Sequence, residues 1–141
     1  MSSMLGAIGI AASGMAAESM RMDITSNNLA NADSTSGPNG QPYKREEVVL
    51  KAGGQPSFSD TLDSIPAGVQ VAGIVDDQTP DQKVYDPSNP DANKQGYVMM
   101  PNVNTVTEMT DLISESQSYS ADTQAMTTAK DMAEKTLDVL G

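Results

Sequence analysis

The sequence predicts an α+β fold: long N- and C-terminal α-helices pairing as a coiled-coil-like arm, with a small β-rich middle region. Three observations carry this. All eight prolines lie between Pro38 and Pro101, leaving the first 37 residues and the last 40 without any. A proline inside a helix costs about 3 kcal/mol, so the chain divides where the prolines begin and end. Both proline-free ends carry apolar residues at alternating four- and three-residue steps, the spacing of helices that pack lengthwise. The middle instead holds short β-branched runs separated by turn residues. The expected divisions are an N-terminal helical arm over 1–31, a β-rich middle over 32–101 and a C-terminal helical arm over 102–141.

The N-terminal arm steps through Met1, Leu5, Ile8, Ala12, Met15, Ser19, Met22, Ser26 and Leu29, and seven of these nine are apolar. Gly6, Gly9 and Gly14 interrupt the same stretch, each weakening a helix by about 1 kcal/mol relative to alanine. Such a helix needs a partner, or a neighbour close enough to require glycine. Asn27, Asn28 and Asn31 mark its end, because asparagine tolerates a left-handed cap and can bond adjacent backbone.

In the middle, four runs read as strands: Glu46 to Lys51, Gly68 to Asp76, Lys83 to Tyr85 and Gly96 to Met100. Gly53-Gly54-Gln55-Pro56 reads as a turn between the first two. The apolar material here is thin, so these strands are expected to lean on the helices.

The C-terminal arm steps through Thr105, Met109, Leu112, Ser116, Tyr119, Thr123, Met126, Lys130, Ala133, Leu137 and Leu140, of which seven are apolar. Ile113, Ala129, Met132 and Val139 widen the stripe. Thirty-odd residues at ~1.5 Å rise span roughly 50 Å, longer than a chain of this size can cover alone. The two arms could close on each other as an antiparallel hairpin. Narrow, polar-interrupted seams that are poor in leucine point instead to helices completed by other subunits.

Composition removes most chemistry. The chain has no His and no Cys, which excludes a Ser-His-Asp triad, a thiolate nucleophile and an ordinary zinc site. With 19 acidic against 8 basic residues and a net charge of −11, it is no nucleic-acid binder, since phosphate contacts need a basic surface. Glu46-Glu47 and Asp76-Asp77 sit on strand candidates, where neighbours point to opposite faces, so they read as solvated charge. Asp91 to Gly96 resembles the start of a calcium loop, but its twelfth position is Asn102. No enzyme activity and no cofactor is expected. The apolar stretch from Met4 to Ala17 has no preceding basic residue and is too short to span a bilayer. Few aromatics and ten methionines suit surfaces that repack against several neighbours.

Particular stretches then resemble a known family. Ser13 to Val48, centred on Ser26-Asn27-Asn28-Leu29-Ala30-Asn31-Ala32, is similar to the N-terminal signature of bacterial flagellar rod and hook proteins. The stretch from Val84 to Ser120 resembles the proximal rod type in particular, and Ala129 to Gly141 is similar as well. Tyr119-Ser120-Ala121-Asp122 departs from a frequent Tyr-x-Ala-Asn, and Gln117 stands at a commonly basic position. The resemblance implies a structural subunit of the flagellar basal-body rod, exported by the flagellar type III apparatus without a cleaved signal peptide. It implies assembly with other rod proteins, the basal-body base and further copies of the chain, with no transmembrane span of its own. Combined with the seams, it nominates subunit-contact residues: Leu5, Ile8, Met15, Met22, Asn27, Asn28, Leu29 and Asn31 in the first arm, and Met109, Leu112, Tyr119, Met126, Leu137 and Leu140 in the second. The alternative is a soluble helical-hairpin binding module, for example an export adaptor, whose seams close within one chain.

Overall fold

The structure, a computed structural model, describes residues 2–37, 39–53 and 68–140, with the side chains of residues 2–5, 139 and 140 outside that set. Its elements run α1 (Ser2–Ala30), β1 (Glu46–Ala52), β2 (Val69–Asp76), β3 (Gln82–Tyr85), β4 (Tyr97–Met100) and α2 (Thr105–Leu140). The four runs singled out in the middle are the four strands, each limit moved by a residue at most. The turn expected after Gly53 lies outside the described residues.

The strands form two separate antiparallel ribbons, β1 with β2 and β3 with β4. In the first, Glu46 faces Asp76 and Val48 faces Ile74. The register then shifts between Val49 and Leu50, which face Gly73 and Val71. An isolated two-stranded ribbon is marginal in water, so each leans on something. The first rests on α1, where Ser13 Oγ accepts the Val69 N–H at 3.0 Å while donating to the Ile10 carbonyl at 2.7 Å. A side chain on Gly68 would collide with Ser13, so this approach requires glycine. In the second ribbon Val98 is buried, Tyr85 and Tyr97 meet edge to face at 5.2 Å, and the Lys83 ammonium lies 4.3 Å from the Tyr97 ring centre.

Local chemistry sets the helix limits. The Asn31 side-chain amide donates to the Asn27 carbonyl at 2.9 Å, a second bond to the acceptor that its own backbone N–H reaches at 3.1 Å. The left-handed cap expected at these asparagines is not used, since no described residue other than glycine has positive φ; the side chain closes the helix end instead. At the start of α2, Asn104 Oδ1 accepts the N–H groups of Val106 and Thr107 at 3.0 and 3.2 Å. That is an N-cap, placed just after the last proline.

The helices pack antiparallel within the chain, with Asn28 against Glu108, Thr25 against Glu115 and Gly14 against Asp122. Their contact stripe corrects the expected seams. On α1 the residues turned inward are Ala11, Gly14, Glu18, Arg21, Thr25 and Asn28, continuing to Ala32, with buried Ala17 beside them. This is the same alternating step as the apolar stripe, started one residue earlier. On α2 the corresponding set is Glu108, Asp111, Glu115, Ser118 and Asp122, again one residue before Met109, Leu112, Ser116, Tyr119 and Thr123. One residue is about 100° of helix rotation, so the apolar stripe lies beside the intrachain contact rather than inside it. The reason is local. Small residues let the helices approach, and paired polar groups at the base hold the rotation.

Candidate functional site

The base of the hairpin, where α1 ends and α2 begins, is a polar knot built on Asn28. This side chain is 1% exposed. Its amide donates to the Glu46 carbonyl at 2.9 Å and to Glu108 Oε2 at 3.0 Å. Its Oδ1 accepts the Glu46 N–H at 2.9 Å and the Tyr43 hydroxyl at 2.8 Å. All four of its hydrogen-bonding positions are thereby used. Asn28 thus joins α1, the start of β1 and α2 in one contact.

Arg45 supplies the countercharge. Its Nε donates to Glu108 Oε1 at 2.6 Å, its Nη1 pairs with Glu47, and Asp77 and Asp111 lie 3.8 Å away. Burial opposes the guanidinium charge, but hydrogen bonds to Glu108 and Glu47 outweigh it, and the group is held more firmly protonated than usual. Asn102 ties in the second ribbon, its Oδ1 accepting the Arg45 N–H at 2.9 Å while its amide reaches the Thr79 carbonyl at 3.3 Å. Burial, then the nearby Glu46, Asp76 and Glu108 charges, pushes the Tyr43 hydroxyl up to about 12.

Two turns along α2 from Glu108, Glu115 is 3% exposed. Its Oε1 accepts the Thr25 hydroxyl at 3.2 Å and lies 3.4 Å from Arg21 Nε. Its Oε2 has no hydrogen-bond partner in the chain. Burial raises this carboxyl above its ordinary value, and Thr25 and Arg21 offset that only partly.

The nominated contact residues divide accordingly. Ile8, Met15, Met22, Leu29 and Asn31 on the first arm, and Leu112, Tyr119 and Met126 on the second, are half-buried at the edge of the helix pair. Met109 and Leu137 are exposed at 54% and 57%, and Ile113 at 59%. Asn27 is exposed and bonds only within its own helix end. Asn28 is fully enclosed and serves the chain's own base. Leu5 and Leu140 lie within helices, but their side chains are outside the described set. Among the described residues no group of carboxylates converges to hold a metal ion, and no helix is long and apolar enough to cross a membrane. Asp91 to Gly96 forms the β3–β4 turn, in which Asn93 Oδ1 accepts the Gln95 and Tyr97 N–H groups. The sequence reading missed Arg45, Glu108, Glu115 and Tyr43. Its available signal was that the chain has two arginines, Arg21 and Arg45, and arginine is the residue suited to buried carboxylates.

Comparison with known proteins gives matches along both arms. Residues 8–38 match the family model described as flagella basal body rod protein, and residues 94–139 match the C-terminal model of the flagellar basal body rod FlgEFG proteins. The flagellar basal-body rod protein FlgC of Yersinia enterocolitica is 44% identical over 135 residues, covering 96% of each chain. The FlgC protein of Salmonella typhimurium is 42% identical, covering 95% of this chain and 96% of its own. That of Bacillus subtilis is 41% identical, covering 94% and 95%.

Proposed function

We propose, from the premise that the chain belongs to the family of the flagellar basal-body rod protein FlgC, how it builds the proximal rod as a structural subunit. The observation that supports the mechanism is the one-residue offset between the chain's own seam and its apolar stripe. The intrachain contact is satisfied mainly by small and polar side chains, so it leaves Ile8, Met15, Met22, Leu29, Leu112, Tyr119 and Met126 only half-buried and Met109 exposed. Leu5, Leu137 and Leu140 extend those stripes at the open end of the hairpin. These residues are the surface on which neighbouring rod subunits, further copies of the chain and the basal-body base pack. Asn27 and Asn31 sit at the edge of that surface, and Asn28 positions it.

Assembly of this kind is conditional. Seven acidic residues against two basic ones follow Val98, and bringing such arms together costs repulsion unless basic side chains or salt screen it. Burial between subunits at roughly 25 cal/mol per Å² of apolar surface supplies the opposing gain. The chain has no cysteine, so no disulfide obstructs export through the flagellar type III apparatus. We assign it no catalytic activity and no cleaved signal peptide.

The test is deletion followed by electron microscopy of isolated basal bodies. Basal bodies lacking a completed rod are expected, with motility lost. A complete rod without the chain would overturn the reading.

A further inference from the structure

A cleft of about 300 Å³ opens between α1, β1 and α2, directly above the polar knot. Four carboxylates line it, from Glu46, Glu47, Asp111 and Glu115, against the guanidiniums of Arg21 and Arg45. Both guanidiniums already hold carboxylate partners. Arg45 is engaged by Glu108 and Glu47. Arg21 Nη1 donates to both oxygens of Glu18 at 3.2 Å, touching Glu115 only through Nε. What remains is Glu115 Oε2, buried in the wall of the cleft and without a partner. A buried carboxylate oxygen left unpaired costs free energy that a charge-assisted hydrogen bond removes.

We propose that this cleft receives one basic side chain, lysine or arginine, from a neighbouring protein subunit, with Glu115 Oε2 as its innermost acceptor. The walls fit that ligand better than a free ion. Ile24 and Val48 line the cleft beside the carboxylates, giving the aliphatic stem of a lysine or arginine apolar surface while its head reaches the charge. Among the described residues no three carboxylates are placed to hold a bare metal cation. The chain's −11 charge supplies the long-range attraction for a basic partner. The raised Glu115 carboxyl fits the same picture, since an arriving cation favours its ionised form. The proposal rests on the rod reading only in expecting the neighbour to be another basal-body subunit.

Photo-crosslinking in cells tests it. A benzophenone amino acid at Val48, with Asp111 as a second placement should Val48 not tolerate it, is activated in whole cells, and the coupled peptides are mapped by mass spectrometry. The expected product joins the chain to a neighbouring protein within a few residues of a lysine or arginine. Glu115→Gln should lower its yield about tenfold, the effect of one lost charge-assisted contact, with helicity by circular dichroism unchanged. Glu115→Lys should abolish the product, and replacing the mapped basic residue by glutamate should restore it. Intrachain products only, no intermolecular product, a mapped neighbour without a basic residue there, or a yield indifferent to Glu115→Gln would each overturn the proposal. A mapped basic neighbour that is no basal-body component would instead refute the rod reading and leave the cleft assignment standing.

Discussion

Replacing Asn28 by alanine removes four hydrogen bonds at one stroke, and the structure allows the loss to be worked out. Three are neutral, to both backbone groups of Glu46 and to the Tyr43 hydroxyl, and one is charge-assisted, to Glu108. At about 1 kcal/mol for each neutral bond and about 1.5–3 for the charged one, the gross loss is about 5 kcal/mol. Glu46 and Tyr43 are half-buried, so water recovers part of theirs. Glu108 is 1% exposed but keeps Arg45. The net expectation is about 3–4 kcal/mol, a large fraction of the ~5–15 kcal/mol that holds a typical domain folded. Asn28→Asp sharpens the test because it is nearly isosteric. It keeps the acceptor for Tyr43 and Glu46 but sets a carboxylate where the Asn28 amide now lies 3.0 Å from Glu108 Oε2. Burial and the like charge raise the new group's folded pKa above its unfolded value. Its stability is therefore fully present below the unfolded pKa and lost as pH rises through the folded one. Urea denaturation followed by circular dichroism, at mildly acidic and neutral pH, reads both variants. The aspartate deficit relative to the parent chain should shrink on acidification, and by more than the alanine deficit does. An alanine cost below about 1 kcal/mol, within the range of one ordinary hydrogen bond, would refute the claim that this side chain holds the base.

Tyr43→Phe should cost about 1 kcal/mol. Because the Tyr43 pKa is raised to about 12, its contribution is complete below the unfolded value near 10 and lost as pH rises through about 12; phenolate absorbance of the parent chain should show one tyrosine titrating together with unfolding, a feature absent from Tyr43→Phe. Amide exchange should be slowest around Asn28 and Glu108 and accelerate along both helices toward the open end, since from Met126 onward no described residue of α2 is buried; uniform protection to the ends would contradict that gradient. Leu137→Asp should leave urea stability within about 0.5 kcal/mol, as expected for an exposed site, yet abolish rod assembly by placing a charge in a seam between subunits. Leu112→Asp, at a half-buried position, should lower stability and also abolish assembly; motile cells with normal basal bodies would count against the proposed surface.

The element order could be read from the chain because its punctuation is strong. Proline confinement and four short runs placed the strands to within a residue and the helices to within three. What could not be read was the rotation of each helix. A 4-3 apolar pattern identifies the stripe richest in apolar residues, and in a single-chain hairpin that stripe would be the inner one. Here the inner stripe begins one residue earlier, at Ala11, Gly14, Thr25 and Asn28. Its adhesion comes from small side chains and long-range polar pairs that leave no periodic trace. The Asn28 to Glu46 bonds span 18 residues and the Asn28 to Glu108 bond spans 80. No local window contains both ends of such a contact. Arg45 was invisible for the same reason, its carboxylate partners being spread from Glu47 to Asp111.

That rotation is the point on which fold and assembly meet. Turning α1 by one residue would bring Met15, Met22 and Leu29 into the hairpin, but these are already half-buried. The further gain is limited to a part of the ~1.5–3 kcal/mol that full burial of each such side chain gives. The same turn would break every bond of Asn28 and leave Glu108 with Arg45 alone, a loss of similar size. The polar base therefore tips a near balance, much as a single buried asparagine fixes the register of a coiled coil at some cost in stability. A base made of leucine would bind the helices more tightly and turn the apolar stripe inward, removing the surface that neighbours need. Asn28, Arg45 and Glu108 hold that stripe outward, which makes a deeply enclosed polar cluster a determinant of how the chain's outside assembles.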